Sequence, residues 1–316
     1  MTKVHTLEEI QAVTENMDFT SAIEEGFIAY SNGDAVIPPV GELIFDDPPG
    51  DTHIKYGYIR NDSVFVIKIA SGFYGNVNLG LPSSSGLMLV FSQQTGQLSS
   101  VLLDEGYLTN VRTALAGRIA ARYLAPETVT AIGVYGTGTM ARMQVSYLAS
   151  ETGCREVVVW GRNDDGLQRY RHDMQSLGYN VTTTRVSDEV TAACNLIVTT
   201  TPAVSPLILA DQVRPGTHIT AIGSDTAEKQ ELDSRILGLA DLVITDSLVQ
   251  CQERGEIFKA LTNNDIKFEK VRELGDIIRN GSRARQSNNQ ITVADLTGIA
   301  VQDIQIAKAV QERLSH

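Results

Sequence analysis

The run Gly136-Thr137-Gly138-Thr139-Met140-Ala141 constrains the fold more than any other feature of the chain. It lies between an apolar stretch carrying Ile132 and Val134 and a helical pattern of Met140, Met143, Val145 and Leu148. A lone G-x-G-x-x-A is an ordinary turn sequence; its place between strand and helix is what gives it meaning. There the first glycine permits a tight turn and the second lets backbone approach a pyrophosphate. Small Ala141 allows helix to pack on strand. The unpaired N–H groups of the helix start then face the phosphates. The alternative is a plain glycine-rich turn. The context predicts a dinucleotide-binding unit in which Gly136, Thr137, Gly138, Thr139 and Met140 bind the cofactor.

The rest of this half continues the alternation. Strands are expected at 129–134, 156–160, 196–200, 218–222 and 242–245, and helices at 140–150 and 165–177. Such alternation implies a parallel sheet covered on both faces. Upstream, Ile10, Val13, Met17, Ile23 and Phe27 predict one helix over 7–31. Short β-rich runs follow at 42–45, 53–59, 63–69, 86–91 and 99–103, separated by turn signals such as Pro48-Pro49-Gly50 and Thr95-Gly96. A helix over 109–124 ends at Pro126, and the tail over 291–314 starts extended and ends helical. The expected class is α/β: a Rossmann doubly wound parallel sheet plus a second α+β domain with a mixed or antiparallel sheet. With 316 residues, each domain has enough chain for its own core. Boundaries near 120 and 290 give a Rossmann domain over 121–289 and a discontinuous domain of 1–120 plus 290–316.

The formal charge of −12 argues against a broad nucleic-acid or anionic-membrane surface. Cys154, Cys194 and Cys251 show no C-x-x-C spacing, so neither a disulfide framework nor a metal site is expected. No apolar run approaches the ~20 residues of a membrane span, and the first residues do not read as a signal stretch. The expected location is cytoplasmic.

The end of the second expected strand bears on the cofactor. An acidic residue there binds the ribose 2′-hydroxyl of NAD, whereas an arginine accommodates a 2′-phosphate. The chain reads Val158-Val159-Trp160-Gly161-Arg162-Asn163. Glycine at the acidic position followed by Arg162 favours NADP(H), while Asp164 keeps NAD(H) open. The plainer alternative makes Arg162 a solvated surface residue.

Three charged residues stand against their local pattern. Arg112 falls inside the apolar arc of Val111, Leu115, Ile119 and Tyr123. A guanidinium directed at a core needs an anion, either a substrate carboxylate held bidentately or a buried glutamate. Lys68 interrupts the apolar run Val64-Phe65-Val66-Ile67-Lys68-Ile69, where a solvent-facing lysine is the simpler alternative. Gly223-Ser224-Asp225 follows the expected strand at 218–222, and ligands gather beyond the carboxyl ends of parallel strands. Asp225 is thus an acid/base candidate, or alternatively a turn cap. Thr200, Gly223 and Ser224 are cofactor-binding candidates by the same placement.

Taken in order, these landmarks resemble the ornithine cyclodeaminase/μ-crystallin family over nearly the whole chain. They are Lys68, Gly80-Leu81-Pro82, Thr95-Gly96, Leu108 through Ala114, Gly136-Thr137-Gly138, and Gly223 through Asp233. Gly255-Glu256-Ile257 and Asp295-Leu296-Thr297-Gly298 complete the set. The resemblance implies hydride exchange between a nicotinamide and a carbon bearing nitrogen beside a carboxylate. It implies that Lys68 and Arg112 hold the carboxylate, with Lys68 and Asp225 catalytic. Thr109 and Thr113 would lie near the cofactor, Thr297 and Gly298 near its nicotinamide, and the chain would form a homodimer through the first domain's sheet. One departure is plain: many members carry an arginine after the Pro-Pro pair, but Pro38-Pro39-Val40-Gly41-Glu42 has none. Glu42 suits an amino or iminium group, and His53 and Lys55 become candidates for the missing positive charge.

The expected function is therefore NAD(P)H-dependent reduction of an imine beside a carboxylate, on a small imino-acid or amino-acid substrate. An NAD-dependent cyclodeaminase, an amino-acid dehydrogenase and a non-enzymatic NADP-binding crystallin-like protein are the alternatives.

Overall fold

The computed structural model describes residues 2–15 and 17–315. Strand β1 (Lys3–His5) precedes helices α1 (Leu7–Thr14) and α2 (Thr20–Ser31). Strands β2 (Ala35–Val36), β3 (Gly41–Asp46), β4 (Pro49–Ile59), β5 (Val64–Gly72), β6 (Ser84–Ser92) and β7 (Leu98–Leu102) follow. Helix α3 (Tyr107–Leu124) leads to β8 (Ile132–Tyr135), α4 (Thr139–Thr152), β9 (Glu156–Trp160), α5 (Asp164–Ser176), β10 (Asn180–Thr184) and α6 (Ser187–Ala193). Next come β11 (Leu196–Thr199), β12 (Val204–Ile208), β13 (His218–Ala221), β14 (Gln230–Leu232), α7 (Arg235–Leu239) and β15 (Leu242–Thr245). The last elements are α8 (Gly255–Thr262), β16 (Val271–Glu273), α9 (Leu274–Arg279), β17 (Thr292–Asp295) and α10 (Ala300–Leu314).

Two compact units result, Met1–Arg112 with Ile299–His316 and Thr113–Gly298. In the first, the sheet order is β1-β7-β6-β5-β4-β2, with β3 added to β4. The β1–β7 pair is parallel and the others are antiparallel. Helix α10 packs on β4, β5, β6 and α2, over the face carrying buried Val64, Val66, Met88 and Val90. The opposite face is also apolar. Tyr56, Ile67, Leu89 and Val101 form one cross-strand row, and Tyr58, Phe65 and Phe91 another. The Phe65 and Phe91 rings stack there at 4.7 Å between centroids.

The single helix expected over 7–31 is two. A capping box closes the start of α1, with Thr6 and Glu9 each accepting from the other's backbone N–H. The Asp18 carboxylate accepts from Thr20 N at 2.9 Å, which starts α2 afresh. Short polar side chains hydrogen-bonding to nearby backbone interrupt a helix that apolar spacing alone would continue.

The second unit is doubly wound, with sheet order β10-β9-β8-β11-β13-β17-β15-β16 and every pair parallel. The chain moves outward from β8 to β10, then crosses to β11, so the order reverses between β8 and β11. Strand β17 lies between β13 and β15, although the sequence reading placed residues from 290 onward in the first domain. Its four buried residues fit any fully covered sheet, and periodicity does not say which one. One core flanks α4 and α5 with Val145, Leu148, Tyr170 and Met174, and another holds Tyr135, Ile219, Val243 and Ile257. The α/β class and the Rossmann architecture expected from the sequence are those observed. Among the described residues no helix is long and apolar enough to cross a membrane.

Candidate functional site

In the first unit, the register of β4 and β5 sets Lys55 directly opposite Lys68. Opposed residues in an antiparallel pair project to one face, and both lysines are buried. Lys68 is 2% exposed, so it does not lie on a solvent face. Arg112 is likewise buried. Its Nε stands 3.0 Å from Asp303 Oδ1, and its Nη1 donates to Gln302 Oε1 at 2.9 Å. Lys68 Nζ lies 3.6 Å from Asp303 Oδ2. Two cations from α3 and β5 thus converge on one carboxylate from α10, which offsets part of their desolvation. The internal anion is an aspartate, where the sequence pattern left a glutamate or a substrate open.

The cluster's hydrogen bonding is incomplete. Arg112 Nε, Gln302 Nε2 and both Asp303 oxygens are buried without a well-aligned hydrogen bond. Asp104, whose Oδ2 accepts from Leu108 N at 2.8 Å, adds a further carboxyl beside the cluster. Burial raises its pKa; hydrogen bonds from the Leu108 and Gly106 backbone oppose the rise, and the nearby Asp303 charge adds to it.

Farther along β3 and β4, Glu42 and His53 are register partners. His53 Nδ1 lies 3.3 Å from Glu42 Oε1 and its Nε2 3.6 Å from Asp51 Oδ1. Of the two residues considered for the missing positive charge, Lys55 stands beside Lys68, while His53 is set between two carboxylates.

In the second unit, Gly136 has φ 117, a conformation that side chains disfavour. A Cβ there would also meet Thr200 Oγ1 at 2.7 Å. At Gly138 a Cβ would have open space, so a ligand can approach the backbone closely. Arg142 Nη1 donates to the carbonyls of Thr137 and Gly138, which turns the loop's acceptors inward to α4. Thr139 and Met140 form the first turn of that helix, whose N–H groups suit a phosphate. Arg162, just past β9, is exposed. Its carbonyl accepts from Arg185 Nη2 at 3.1 Å, which brings a second cation alongside.

Past the neighbouring strands, the Asp225 carboxylate is held by Lys229 Nζ at 2.6 Å, and Ser224 Oγ donates to Lys229 O at 2.9 Å. Asp225 is therefore an ion-paired carboxylate on the loop after β13. Thr297 Oγ1 donates to Asp246 Oδ1 at 3.2 Å, and Gly298 N to Asp246 Oδ2 at 2.6 Å. Thr113 O accepts from Gln144 Nε2 at 2.9 Å. Thr109 lies in the first turns of α3 on the first unit's side of the division. Among the described residues no group of His, Cys, Asp and Glu could hold a metal ion.

Sequence reasoning missed Asp303 and Gln302. The available signal was two polar residues inside the apolar run Ile299–Ile304 at the start of the final helix. It also assigned no role to the buried carboxylates Glu231, Asp246, Glu256 and Asp295.

The profile of the ornithine cyclodeaminase/mu-crystallin family matches residues 1–316. An uncharacterised cyclodeaminase of Sinorhizobium fredii is 35% identical, covering 96% of this chain and 92% of that protein. An archaeal alanine dehydrogenase dimer with bound NAD superposes with TM-score 0.88 at 32% identity, covering 99% of this chain and 95% of the other. The iminosuccinate reductase of Paracoccus denitrificans in complex with NAD+ does so with TM-score 0.88 at 28% identity, covering 99% and 96%.

Proposed function

The chain belongs to the ornithine cyclodeaminase/mu-crystallin family, and from that premise we propose that it is an NAD(P)H-dependent reductase of an imine beside a carboxylate. The observation that carries this reading is the under-satisfied buried cluster of Lys68, Arg112, Gln302 and Asp303. A ligand carboxylate supplies the acceptor that Gln302 Nε2 lacks, and the planar guanidinium fork of Arg112 suits it. Lys55, beside Lys68, adds positive charge to the same sheet face.

The residues of the second unit fit a dinucleotide. Open backbone at Gly138 and the start of α4 receive the pyrophosphate. Arg162 and Arg185 favour a 2′-phosphate, hence NADP(H) over NAD(H). When bound, the nicotinamide supplies the hydride. Asp225, paired with Lys229, is the group that exchanges a proton with the substrate nitrogen, and Lys68 holds the carboxylate and assists. Lys68 and Asp225 are thus each proposed to be catalytic. Glu42 and His53 complete the substrate surface, and Thr109, Thr113, Thr200, Gly223, Ser224, Thr297 and Gly298 the cofactor surface. The apolar rows on the outer sheet face suit a second copy of the chain, and the archaeal relative is a dimer.

The 35% identical relative named as a cyclodeaminase favours a second reading, redox-neutral release of ammonia from ornithine or lysine. Absorbance separates the two. The reductase consumes NADPH or NADH with Δ1-pyrroline-2-carboxylate or Δ1-piperideine-2-carboxylate, whereas the cyclodeaminase releases ammonia with no net absorbance change. Absence of both reactions in a chain that binds dinucleotide would leave a binding protein instead.

A further inference from the structure

Four donors converge on the fully buried carboxylate of Glu231. Oε1 accepts from Thr201 N at 2.6 Å and Thr201 Oγ1 at 2.8 Å. Oε2 accepts from Gly223 N at 2.9 Å and Thr199 Oγ1 at 2.7 Å. Thr199 ends β11 and Gly223 follows β13, its neighbour in the sheet. One side chain therefore joins the loops beyond two adjacent strands.

The joint is tight. A Cβ on Gly223 would stand 2.2 Å from Thr201 O and 2.6 Å from Glu231 Oε2. It also extends to the glycine loop, because Thr200 N and Oγ1 both donate to Tyr135 O at 3.0 Å, next to Gly136. The strand that carries Glu231 is itself anchored. Glu256 accepts from Glu231 N at 2.6 Å and from Leu232 N at 3.3 Å. Burial pushes the Glu231 carboxyl up to about 7 against the four donors. A carboxylate held in so unfavourable a place marks a position where the spacing of two loops matters.

A doubly wound sheet binds a dinucleotide with two mononucleotide halves. The glycine loop and Arg162 belong to the β8–β9 half, which leaves the β11–β13 half for the nicotinamide nucleotide. We infer that Glu231 is a positioning residue that sets the separation of the 200–202 and 223–225 loops around that nucleotide. The inference rests on the dinucleotide reading of the preceding subsection.

Chemistry makes Glu231 hard to replace. In Glu231→Gln one oxygen becomes an NH2 group. Each oxygen faces a backbone N–H, which only donates, so donor meets donor whichever way the amide turns. Thr201→Val removes one hydroxyl and leaves the carboxylate in place, a milder change should the first variant fold poorly.

The test is calorimetric titration of the full chain with whichever of NADH and NADPH the wild type binds. The matching ADP-ribose or its 2′-phosphate, which lacks the nicotinamide, is titrated in parallel. The expected result is a loss of about tenfold in dinucleotide affinity for Glu231→Gln, and a smaller loss for Thr201→Val. Affinity for the truncated ligand stays unchanged in both. Unchanged dinucleotide affinity in the folded variants, or an equal loss for both ligands, overturns the positioning role. A wild type that binds none of these ligands overturns the dinucleotide reading instead.

Discussion

Arg112 Nε and Asp303 Oδ1 lie 3.0 Å apart in the interior of the first unit, one from a helix in the middle of the chain and the other from its last helix. Lys68 approaches the other oxygen of the same carboxylate at 3.6 Å. The balance of this group is delicate, because breaking a buried ion pair leaves the remaining charge without compensation.

Asp303→Asn keeps the volume and removes the charge between two cations. We expect a stability loss of about 3–5 kcal/mol in denaturant unfolding. Arg112→Ala should raise KM for the carboxylate substrate strongly with little change in dinucleotide affinity. A nearly silent Asp303→Asn would show that another group compensates Arg112 and Lys68.

Arg162 and Arg185 sit together past the ends of β9 and β10. Removing either by substitution to alanine should weaken NADPH binding about tenfold, the worth of a charge-assisted hydrogen bond, and leave NADH binding unchanged. Fluorescence titration of both cofactors checks this. Equal losses for NADH and NADPH would deny the arginines a role at the 2′-phosphate.

Burial raises the carboxyls of Glu231 and Asp295 to about 7, from 4.5 and 3.8, and raises Glu256 well above its ordinary range. The folded chain keeps these protons at pH values where the unfolded chain has released them. For Glu231 and Asp295 the contribution is therefore present at low pH and lost as pH rises through 7, on the order of a few kcal/mol each. His218 works the other way: burial lowers it from 6.5 to about 3, so its contribution is lost as pH falls below 6.5. Asp295→Asn isolates one carboxyl. Its Oδ2 accepts from Ile257 N at 2.8 Å, a bond that an amide oxygen at the same position keeps. The variant should gain stability at pH 8 relative to pH 5.5, compared with wild type in thermal melts. An unaltered pH slope would contradict the burial argument.

The apolar rows on the outer sheet face put Ile67 between Tyr56 and Leu89. Ile67→Asp places a charge in the proposed contact between two copies, where desolvation is costly. Light scattering should show a dimer for wild type and a monomer for the variant. A wild-type monomer, or a dimeric variant, would move the interface elsewhere.

The parallel-sheet unit was legible in the sequence, because strand–glycine-loop–helix is a local pattern whose physics is complete within about 30 residues. The sequence also marked Lys68 and Arg112, since a charge inside an apolar period is visible without neighbours. It did not reveal that 7–31 is two helices, that β17 belongs in the second unit's sheet, or that Asp303 answers both cations. Apolar periodicity says that a face is buried but not against what. The pairings of Lys68 and Arg112 with Asp303, and of Glu231 with Thr199, Thr201 and Gly223, join residues from separate elements. They are set by the packing of distant segments, because a buried charge is tolerable wherever folding brings it a partner.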